Sequence, residues 1–567
     1  MKMNLRMRRA LSFTAIVLGF FMALLDTTII NIALPEMMRH FGGSVSRISW
    51  VMNGYNLAFA VFILTASRLA DQFGRKKVFI FGVALFTLTS LLAGFAPSLG
   101  MLILLRVIQG LAGAIIVPVT IPLTTTTFPK EMHGLIIGIW GAVSGVAAAS
   151  GPALGGILTQ KLSWEWIFFV NVPLGVLSIV LTAVFIQESR DNTAGRSIDY
   201  GGTLGITGAM FFITYALIKV QDFGWSSGVI LGLLGAGLVF LLLFILTQWK
   251  GKEPMLPLSL MRIRTFNGAS LTLLIVGAAL MNLSLLTSFF LTRVMGMTEL
   301  RAGLVLSMVA VGSIVSSAVS GPLSAKYGSH LFAAAGIVIT GGAMYSMSGL
   351  HADSAVAEVV VRLMVAGVGV GLTMAPVMSS AVRNVPDDKV GISSGVTNMA
   401  KALGSVIGVA IIVTVLQHNT DSELGKAGTR VSEAIQADVK LQPVVKNALA
   451  EAVASIGKEG ASAMGGNSGK ADPAAAVVHA VELAAAKLPP AEQKAFAADS
   501  ANQFREAKLL LSQAGNGIQL AAVEGFSRTF VFASLLMIPG ILFALISDKR
   551  RKPEEPAVLA EPAVLER

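Results

Sequence analysis

Cysteine and several functional motifs are absent from this sequence of 567 residues, and each absence excludes a class of function. There is no cysteine, which excludes disulfides, thiolate chemistry and cysteine-ligated zinc. No G-x-x-x-x-G-K-[ST] motif occurs, so ATP is not the expected energy source. Neither a metal-ligand cluster nor a nucleophile motif is found. We therefore do not expect an enzyme, and no cofactor or metal is predicted.

Charge is scarce, at 13% of the residues, whereas 54% are hydrophobic and the mean hydropathy is +0.73. A soluble protein of this composition would expose far too much apolar surface. Apolar runs of about twenty residues recur, and each can cross a hydrocarbon core roughly 30 Å thick. The pattern predicts an all-α polytopic membrane protein that is surrounded by the lipid bilayer.

Fourteen membrane spans are predicted, and an even number puts both ends of the chain on one side. They are expected at residues 11–35, 49–70, 78–97, 100–122, 134–158, 164–187, 200–219, 228–248, 267–291, 301–322, 331–350, 356–379, 391–416 and 525–546. Lysine and arginine concentrate in the loops on one side, as in Arg75–Lys77, and the positive-inside rule makes that side cytoplasmic. We expect both termini in the cytoplasm and the chain in the inner (plasma) membrane. The net charge of +11 follows from these loops, so nucleic acid is not an expected partner.

The spans divide the chain into five parts. These are a six-helix bundle (1–190), two inserted helices with linkers (191–264), the first five helices of a second bundle (265–416), an outer loop (417–524) and the last helix with its tail (525–567). The outer loop is rich in alanine and mixed charge, with loose helical periodicity and Gly- and Pro-rich breaks. We expect it to form a small helical hairpin or a partly mobile flap without a catalytic site.

A short phrase occurs twice between adjacent spans. Residues 67–77 read "SRLADQFGRKK", and residues 321–331 read "GPLSAKYGSHL", with most of the charge lost. The alignment pairs Gly74 with Gly328. Two sets of six spans with two inserted between them indicate an internal duplication, which is common in membrane transporters.

Four further phrases lie within the predicted spans: "LDTTIINIALP" (25–35), "LLRVIQGLAGAIIVP" (104–118), "GAVSGVAAASGPALGG" (141–156) and "WEWIFFVNVPLG" (164–175). On the basis of these four phrases and the duplicated phrase, the chain resembles the major facilitator superfamily, specifically its fourteen-helix drug:proton antiporter family. The resemblance covers nearly the whole chain except the outer loop, and it implies the major facilitator fold, with two six-helix bundles plus two inserted helices. Four positions depart from the family pattern: Ser67 replaces a usual glycine, Met308 stands where proline is common, and Glu165 and Lys401 stand where arginine is common.

The resemblance implies that the first charged phrase latches the two bundles together on the cytoplasmic side. The residues that match the family pattern are Asp71, Gly74, Arg75 and Lys76. Asp71 is then expected near the start of the thirteenth span, around Gly391, where exposed N–H groups favour a negative charge. Loop charge that only orients the chain would explain Arg75 and Lys76 but not Asp71.

Small residues form a stripe on the fifth span, and such stripes allow helices to approach closely and to bend. The resemblance implies an antiporter hinge at Gly141, Gly145, Gly151, Pro152, Gly155 and Gly156. Static packing is the alternative. Other residues lie on helices that line the cavity in the family and are candidates for substrate binding: Met22, Tyr55, Gln109, Asn282, Phe289 and Asn398.

Asp26 is the only acidic residue found deep within a predicted span, and Arg106 on the fourth span lies at a similar depth. The family places these two spans side by side. A carboxyl group in this position can be neutral when desolvated and ionised when the arginine or a cationic substrate approaches. We therefore assign proton coupling to Asp26 and Arg106. A purely structural ion pair is the alternative.

The function favoured by these features is secondary active export of amphiphilic or cationic drugs and toxicants, driven by the proton motive force without a cofactor. Protons and small amphiphilic molecules are the expected partners, and the protein is expected to be a monomer. One alternative is a dedicated exporter of a single lipid, siderophore or metabolite. Another is a non-transporting receptor or scaffold that binds through the outer loop. The charges within the membrane disfavour the scaffold, because such charges are costly.

Overall fold

The computed structural model describes residues 5–42, 45–48, 50–129, 132–190, 199–251, 254–383, 385–386, 389–443, 445–447, 449 and 490–547. Within these residues the chain forms helices and turns and no β-strand. The α-helices in chain order are α1 (Leu5–Phe41), α2 (Val45–Ile48), α3 (Trp50–Phe73), α4 (Arg75–Ala93), α5 (Leu99–Thr127), α6 (His133–Lys161), α7 (Trp166–Phe169), α8 (Asn171–Phe185), α9 (Tyr200–Phe223), α10 (Gly228–Lys250), α11 (Arg264–Phe289), α12 (Glu299–Leu306), α13 (Met308–Tyr327), α14 (Ser329–Met347), α15 (Val356–Arg383), α16 (Val390–Ala437), α17 (Pro490–Leu535) and α18 (Ile538–Ile546). A 3-10 turn precedes α11 (Leu260–Arg262), and a π-helical turn follows it (Phe290–Val294).

Fourteen helical segments in the described part of the chain are long and apolar enough to cross a membrane. They confirm the predicted all-α polytopic fold. The sixth, tenth and fourteenth segments each consist of two helices, which are α7–α8, α12–α13 and α17–α18. The first segment belongs to a helix that begins before residue 11 and ends after residue 35, because α1 runs from Leu5 to Phe41.

The helices pack as two groups. In the first group α1 contacts α5, α6 and α8, while α3 and α4 contact α5. In the second group α11 contacts α16, and α15 contacts α13 and α14. The groups meet along two seams: α6 lies against α12 and α13, and α16 lies against α3 and α5. Of the inserted pair, α9 contacts α3 and α16, whereas α10 packs chiefly on α9.

The duplicated phrase forms the same backbone turn in both groups. Gly74 joins α3 to α4 with φ +110°, and Gly328 joins α13 to α14 with φ +93°. Residues with a side chain are disfavoured at such positive φ angles, so glycine is required at both turns. The repeat that is visible in the sequence therefore corresponds to a repeat in the structure.

Helix α16 is far longer than a membrane span. At about 1.5 Å per residue, Val390–Ala437 extends roughly 72 Å, more than twice the thickness of a hydrocarbon core. Its outer part packs on α17, with an ion pair of 2.9 Å between Glu423 and Arg528 and an apolar contact around Leu424 and Ala521. The helix thus continues past residue 416, where the sequence analysis ended the span. Residues 451–489 of the predicted outer loop lie outside the described residues.

Candidate functional site

Asp26 of α1 and Arg106 of α5 form an ion pair inside the first helix group. Both side chains are almost completely buried, with exposed fractions of 1% and 0%. Gln109, one turn after Arg106 on α5, donates from Nε2 to Oδ1 of Asp26 over 3.2 Å and accepts from Nη1 of Arg106 over 2.7 Å. The two residues to which the sequence analysis assigned proton coupling are therefore in direct contact.

Helix α3 holds the Arg106 side chain in place. Its Nε donates to the carbonyl oxygen of Val51 over 2.9 Å, and its guanidinium carbon lies 4.4 Å from the ring centroid of Tyr55. The Tyr55 hydroxyl in turn donates to the carbonyl oxygen of Ala23 on α1 over 3.1 Å. A cation above an aromatic ring is stabilised by the electrons of the ring face. The guanidinium group therefore keeps two favourable contacts that do not depend on the charge of Asp26.

Asn171, at the start of α8, is a member of this cluster that the sequence analysis did not single out. Its Nδ2 donates to Oδ1 of Asp26 over 3.2 Å and to Oγ of Ser90 over 3.1 Å. The helix is interrupted at Val170, between α7 and α8, which places Asn171 at the first turn of a new helix. The signal in the sequence was an amide side chain within the apolar stretch "WIFFVNVPLG". We refer to Asp26, Arg106, Gln109, Tyr55 and Asn171 as the charge cluster.

The second candidate site lies where α3 ends and α16 begins, and we refer to it as the latch end. Arg75 binds Asp71 one turn earlier through Nε and Nη2, both over 2.8 Å, and both side chains are buried. A β-carbon on Gly391 would overlap the Asp71 carboxylate, so the acid lies directly on the first turn of α16, where the sequence analysis expected it. Ser67 donates to the carbonyl oxygen of Gly391 over 2.6 Å. The latch end thus joins the two helix groups.

Glu188, after the end of α8, supports the latch end and was also missed in the sequence. Its carboxylate accepts from the backbone N–H groups of Lys76 and Lys77, over 2.9 and 3.2 Å. These N–H groups belong to the first turn of α4, where they have no partner within the helix and favour a negative charge. The Lys76 ammonium group donates to the carbonyl oxygen of Ala183 over 2.8 Å. Glu188 and Lys76 therefore tie the turn at Gly74 to the end of α8.

The small residues of α6 lie where the two helix groups meet. A β-carbon on Gly155 would lie 2.6 Å from the carbonyl oxygen of Ile29 on α1, and one on Gly151 would overlap Thr28. On the side of α12 and α13, Gly156 faces Leu300, Pro152 faces Gly303, and Gly145 faces Ser313. Gly141 lies in the same helix. The stripe allows α6 to contact α1 on one side and α12–α13 on the other.

The candidate substrate-binding residues do not converge on one pocket. Met22 is fully buried in the core of the first group, and Phe289 packs against the core of the second. Tyr55 and Gln109 belong to the charge cluster. Two amides remain. Asn398 donates to the carbonyl oxygen of Ser394 over 2.9 Å, and Asn282 is buried with no hydrogen-bond partner for its Oδ1 in the described structure. No group of three or more His, Cys, Asp or Glu side chains that could hold a metal ion is found among the described residues.

Comparison with known proteins agrees with this architecture. The family model described as Major Facilitator Superfamily matches residues 16–409. The chain is 30% identical to the tetracenomycin C resistance and export protein of Streptomyces glaucescens over 76% of its own length and 82% of that protein. It is 34% identical to the multidrug resistance protein Stp of Mycobacterium tuberculosis over 72% and 75% of the two chains. With the puromycin resistance protein of Streptomyces alboniger it shares 31% identity over 76% and 86%.

A solved structure shows the same fold. The human organic anion transporter MFSD10 (TETRAN) superposes with a TM-score of 0.54 at 13% sequence identity, covering 72% of this chain and 93% of that one. At this level of identity the likeness concerns the fold alone. The family match and the relatives, which are drug efflux and resistance transporters, establish the class of protein. The chain belongs to the major facilitator superfamily and is a multi-pass membrane transporter rather than an enzyme.

Proposed function

We propose that the protein is a proton-coupled antiporter that exports amphiphilic or cationic compounds. The observation that carries this proposal is the charge cluster, in which the deep carboxylate of Asp26 faces Arg106, Gln109 and Asn171. Isolated charges in a membrane interior are costly, so a paired acid there is a candidate for proton transfer. The printed names of the relatives, which refer to tetracenomycin, puromycin and multiple drugs, support drug-like substrates.

The cluster suggests how proton and substrate would exchange. While Asp26 is ionised, its charge compensates Arg106. Protonation would remove that compensation, but Arg106 would keep its contacts with Val51 and Tyr55 and stay in place as a net positive charge. A cation near the cluster is then repelled, whereas loss of the proton restores the negative charge that attracts it. Proton and cation would thus favour opposite charge states of the same residue.

The driving force is sufficient for useful export. A pH difference of one unit supplies about 1.4 kcal/mol per proton, and a membrane potential of 100 mV supplies about 2.3 kcal/mol more. For one proton exchanged against a neutral compound both contributions count, which permits a concentration ratio of several hundredfold. For one proton exchanged against a monovalent cation the potential cancels, which leaves about tenfold per pH unit.

The positive charge of the loops supports an orientation with the latch end and both chain termini in the cytoplasm, and the proposed location is the cytoplasmic (inner) membrane. In this orientation the contacts of Ser67 and Asp71 with Gly391 close the transporter on its cytoplasmic side. Opening on that side requires these contacts to break, and closing requires them to form again. The latch end would therefore bias the equilibrium between the two access states.

Transport by the purified protein in liposomes tests this function. With an imposed pH difference, ethidium should move against the proton flow, and a proton ionophore should abolish this movement. A panel of neutral, cationic and acidic amphiphiles separates broad drug export from export of one dedicated compound. Ethidium transport that is unaffected by the ionophore would refute proton coupling. Absence of any transport across the panel would refute the antiporter.

A further inference from the structure

Lys401 is a second positively charged residue deep in the membrane region. It lies on α16, about 16 Å beyond Val390 at about 1.5 Å per residue, which is roughly half the thickness of a hydrocarbon core. Its ammonium group is therefore too far from the cytoplasmic helix end to reach the headgroup region by extending along the helix. The charge of a lysine side chain at this depth costs free energy unless an anion or water compensates that charge.

No such anion is provided by the part of the protein that the structure describes. The Lys401 ammonium group makes no ion pair or hydrogen bond there. Of the helices in contact with α16, α5 and α11 contain no acidic residue. Asp71 on α3 is bound to Arg75, and Asp222 on α9 is bound to Lys219. Asp26, the remaining deep acid, is already paired with Arg106.

The position of Lys401 also argues against a site that faces only lipid. Helix α16 is contacted by α3, α5, α9, α11 and α15, so other helices surround it on several sides. A β-carbon on Gly277 of α11 would overlap the carbonyl oxygen of Lys401, which shows how closely these two helices approach. Even so, the Lys401 side chain is only partly buried. Part of the side chain therefore remains accessible.

Polar neighbours accompany Lys401 on one face of α16. Asn398 and Ser405 stand three residues before and four residues after it, a spacing that puts all three on the same side of the helix. The Ser405 hydroxyl donates to the carbonyl oxygens of Gly277 and Lys401, each over 3.1 Å, and the Asn398 amide donates to Ser394. These neighbours satisfy their own hydrogen bonds within the protein, whereas the ammonium group does not.

We propose that Lys401 binds an acidic group of the substrate, such as a carboxylate, sulfonate or phenolate, so that substrates include amphiphiles with one negative charge. The proposal rests on the proposed transport function and refines its substrate class. Two deep positive charges and one deep negative charge leave this region with one uncompensated positive charge. An anionic ligand supplies the missing negative charge directly.

Two fluorescent dyes with the same ring system test the proposal. 8-Anilino-1-naphthalenesulfonate carries a sulfonate, and N-phenyl-1-naphthylamine is the same molecule without it. Binding of both is measured by equilibrium dialysis with the full chain in lipid nanodiscs, with empty nanodiscs subtracted. The variants are Lys401→Met, which removes the charge but keeps an unbranched side chain, and Lys401→Arg, which keeps the charge. Lys326→Met at the end of α13 is the matched control for loss of a positive charge.

We expect Lys401→Met to lower the affinity ratio of sulfonate to neutral dye at least about tenfold, since hydrogen bonds to charged groups contribute this much. Lys401→Arg and Lys326→Met should keep the wild-type ratio. An equal loss for both dyes would show that Lys401 only supports the structure, and an unchanged ratio would show that it does not bind the anion. Either result overturns the proposal. Failure of the wild-type protein to bind the sulfonate dye overturns it as well. Ethidium transport by the same variants in liposomes decides separately whether proton-coupled export is correct.

Discussion

Ser67 of α3 donates a hydrogen bond to the carbonyl oxygen of Gly391 in α16, over 2.6 Å and across 324 positions of sequence. The bond joins the two helix groups at the latch end, next to the Asp71–Arg75 pair. Ser67 stands where the family usually has glycine, which has no side chain to make this contact. The departure from the family pattern therefore adds a contact between the two groups.

Gly391→Ala should loosen the latch end, because the new methyl group would overlap the Asp71 carboxylate. The chain has no cysteine, so a single reporter such as Ser394→Cys, at a fully buried position, can be labelled without background. We expect maleimide labelling of this reporter to rise severalfold in the Gly391→Ala background. Gly235→Ala in α10, where nothing lies within 4 Å of the new carbon, is the control. Equal labelling in both backgrounds would show that the latch end does not restrict opening.

Asp71→Asn should impair export while sparing substrate binding. The Asp71 side chain neutralises Arg75 and touches α16, but it belongs to the latch end rather than to the charge cluster. Its loss should therefore change the equilibrium between access states and not the affinity of either state. Efflux from proteoliposomes and equilibrium binding are measured on the same preparation. A large loss of affinity with normal efflux would mean that Asp71 belongs to the binding site.

Glu188→Ala should destabilise the start of α4 modestly, by about 1 kcal/mol as for the loss of a helix cap. The exposed carboxylate accepts from Lys76 and Lys77, and these N–H groups would then depend on water. We expect a small fall in the thermal unfolding midpoint and a rise in labelling of the Ser394→Cys reporter. Glu188→Gln, which keeps an acceptor but not the charge, should lie between wild type and Ala. Wild-type behaviour of the Ala variant would exclude a role for Glu188 at the latch end.

Residues 425–515 can be deleted and the two ends joined by a short flexible linker. This variant should still insert into the membrane and export substrate. The ion pair of Glu423 with Arg528 and most of the membrane part of α16 and α17 would remain. The deleted stretch contains Lys440 and Gln503, which bind each other through a 2.8 Å hydrogen bond outside the membrane region. Export should stay near the wild-type rate in proteoliposomes. A correctly inserted variant without export would show that the outer helices take part in transport.

Much of the fold could be predicted because bilayer thickness fixes the length of apolar runs. The contact of Asp71 with Gly391 was also predictable, since the family resemblance implies a latch between the first charged phrase and the start of the thirteenth span. The continuation of α16 to Ala437 was not predicted, because hydropathy falls at the membrane surface while helical propensity persists. Span length alone therefore does not indicate where such a helix ends.

Partners that lie far apart in the sequence explain the remaining omissions. Asn171 binds Asp26 across 145 positions, and Glu188 binds Lys76 across 112. Neither is conspicuous in a single sequence, because one is neutral and the other lies in a charged loop. Gln109 was expected to face substrate, yet its amide binds Asp26 and Arg106. Helical spacing identifies a shared face, but it does not tell whether a side chain meets a ligand or another residue.

Drug-induced proton release in proteoliposomes tests most directly whether Asp26 carries the coupled proton. Asp26→Asn keeps an oxygen that can accept from Arg106 but cannot titrate, and Asp26→Glu keeps the acid. With insertion checked in parallel, we predict no drug-induced proton release for Asn, partial release for Glu, and full release for the control Asp222→Asn, whose acid pairs with Lys219 near the end of α9. Proton release of wild-type size from correctly inserted Asp26→Asn would contradict the assignment.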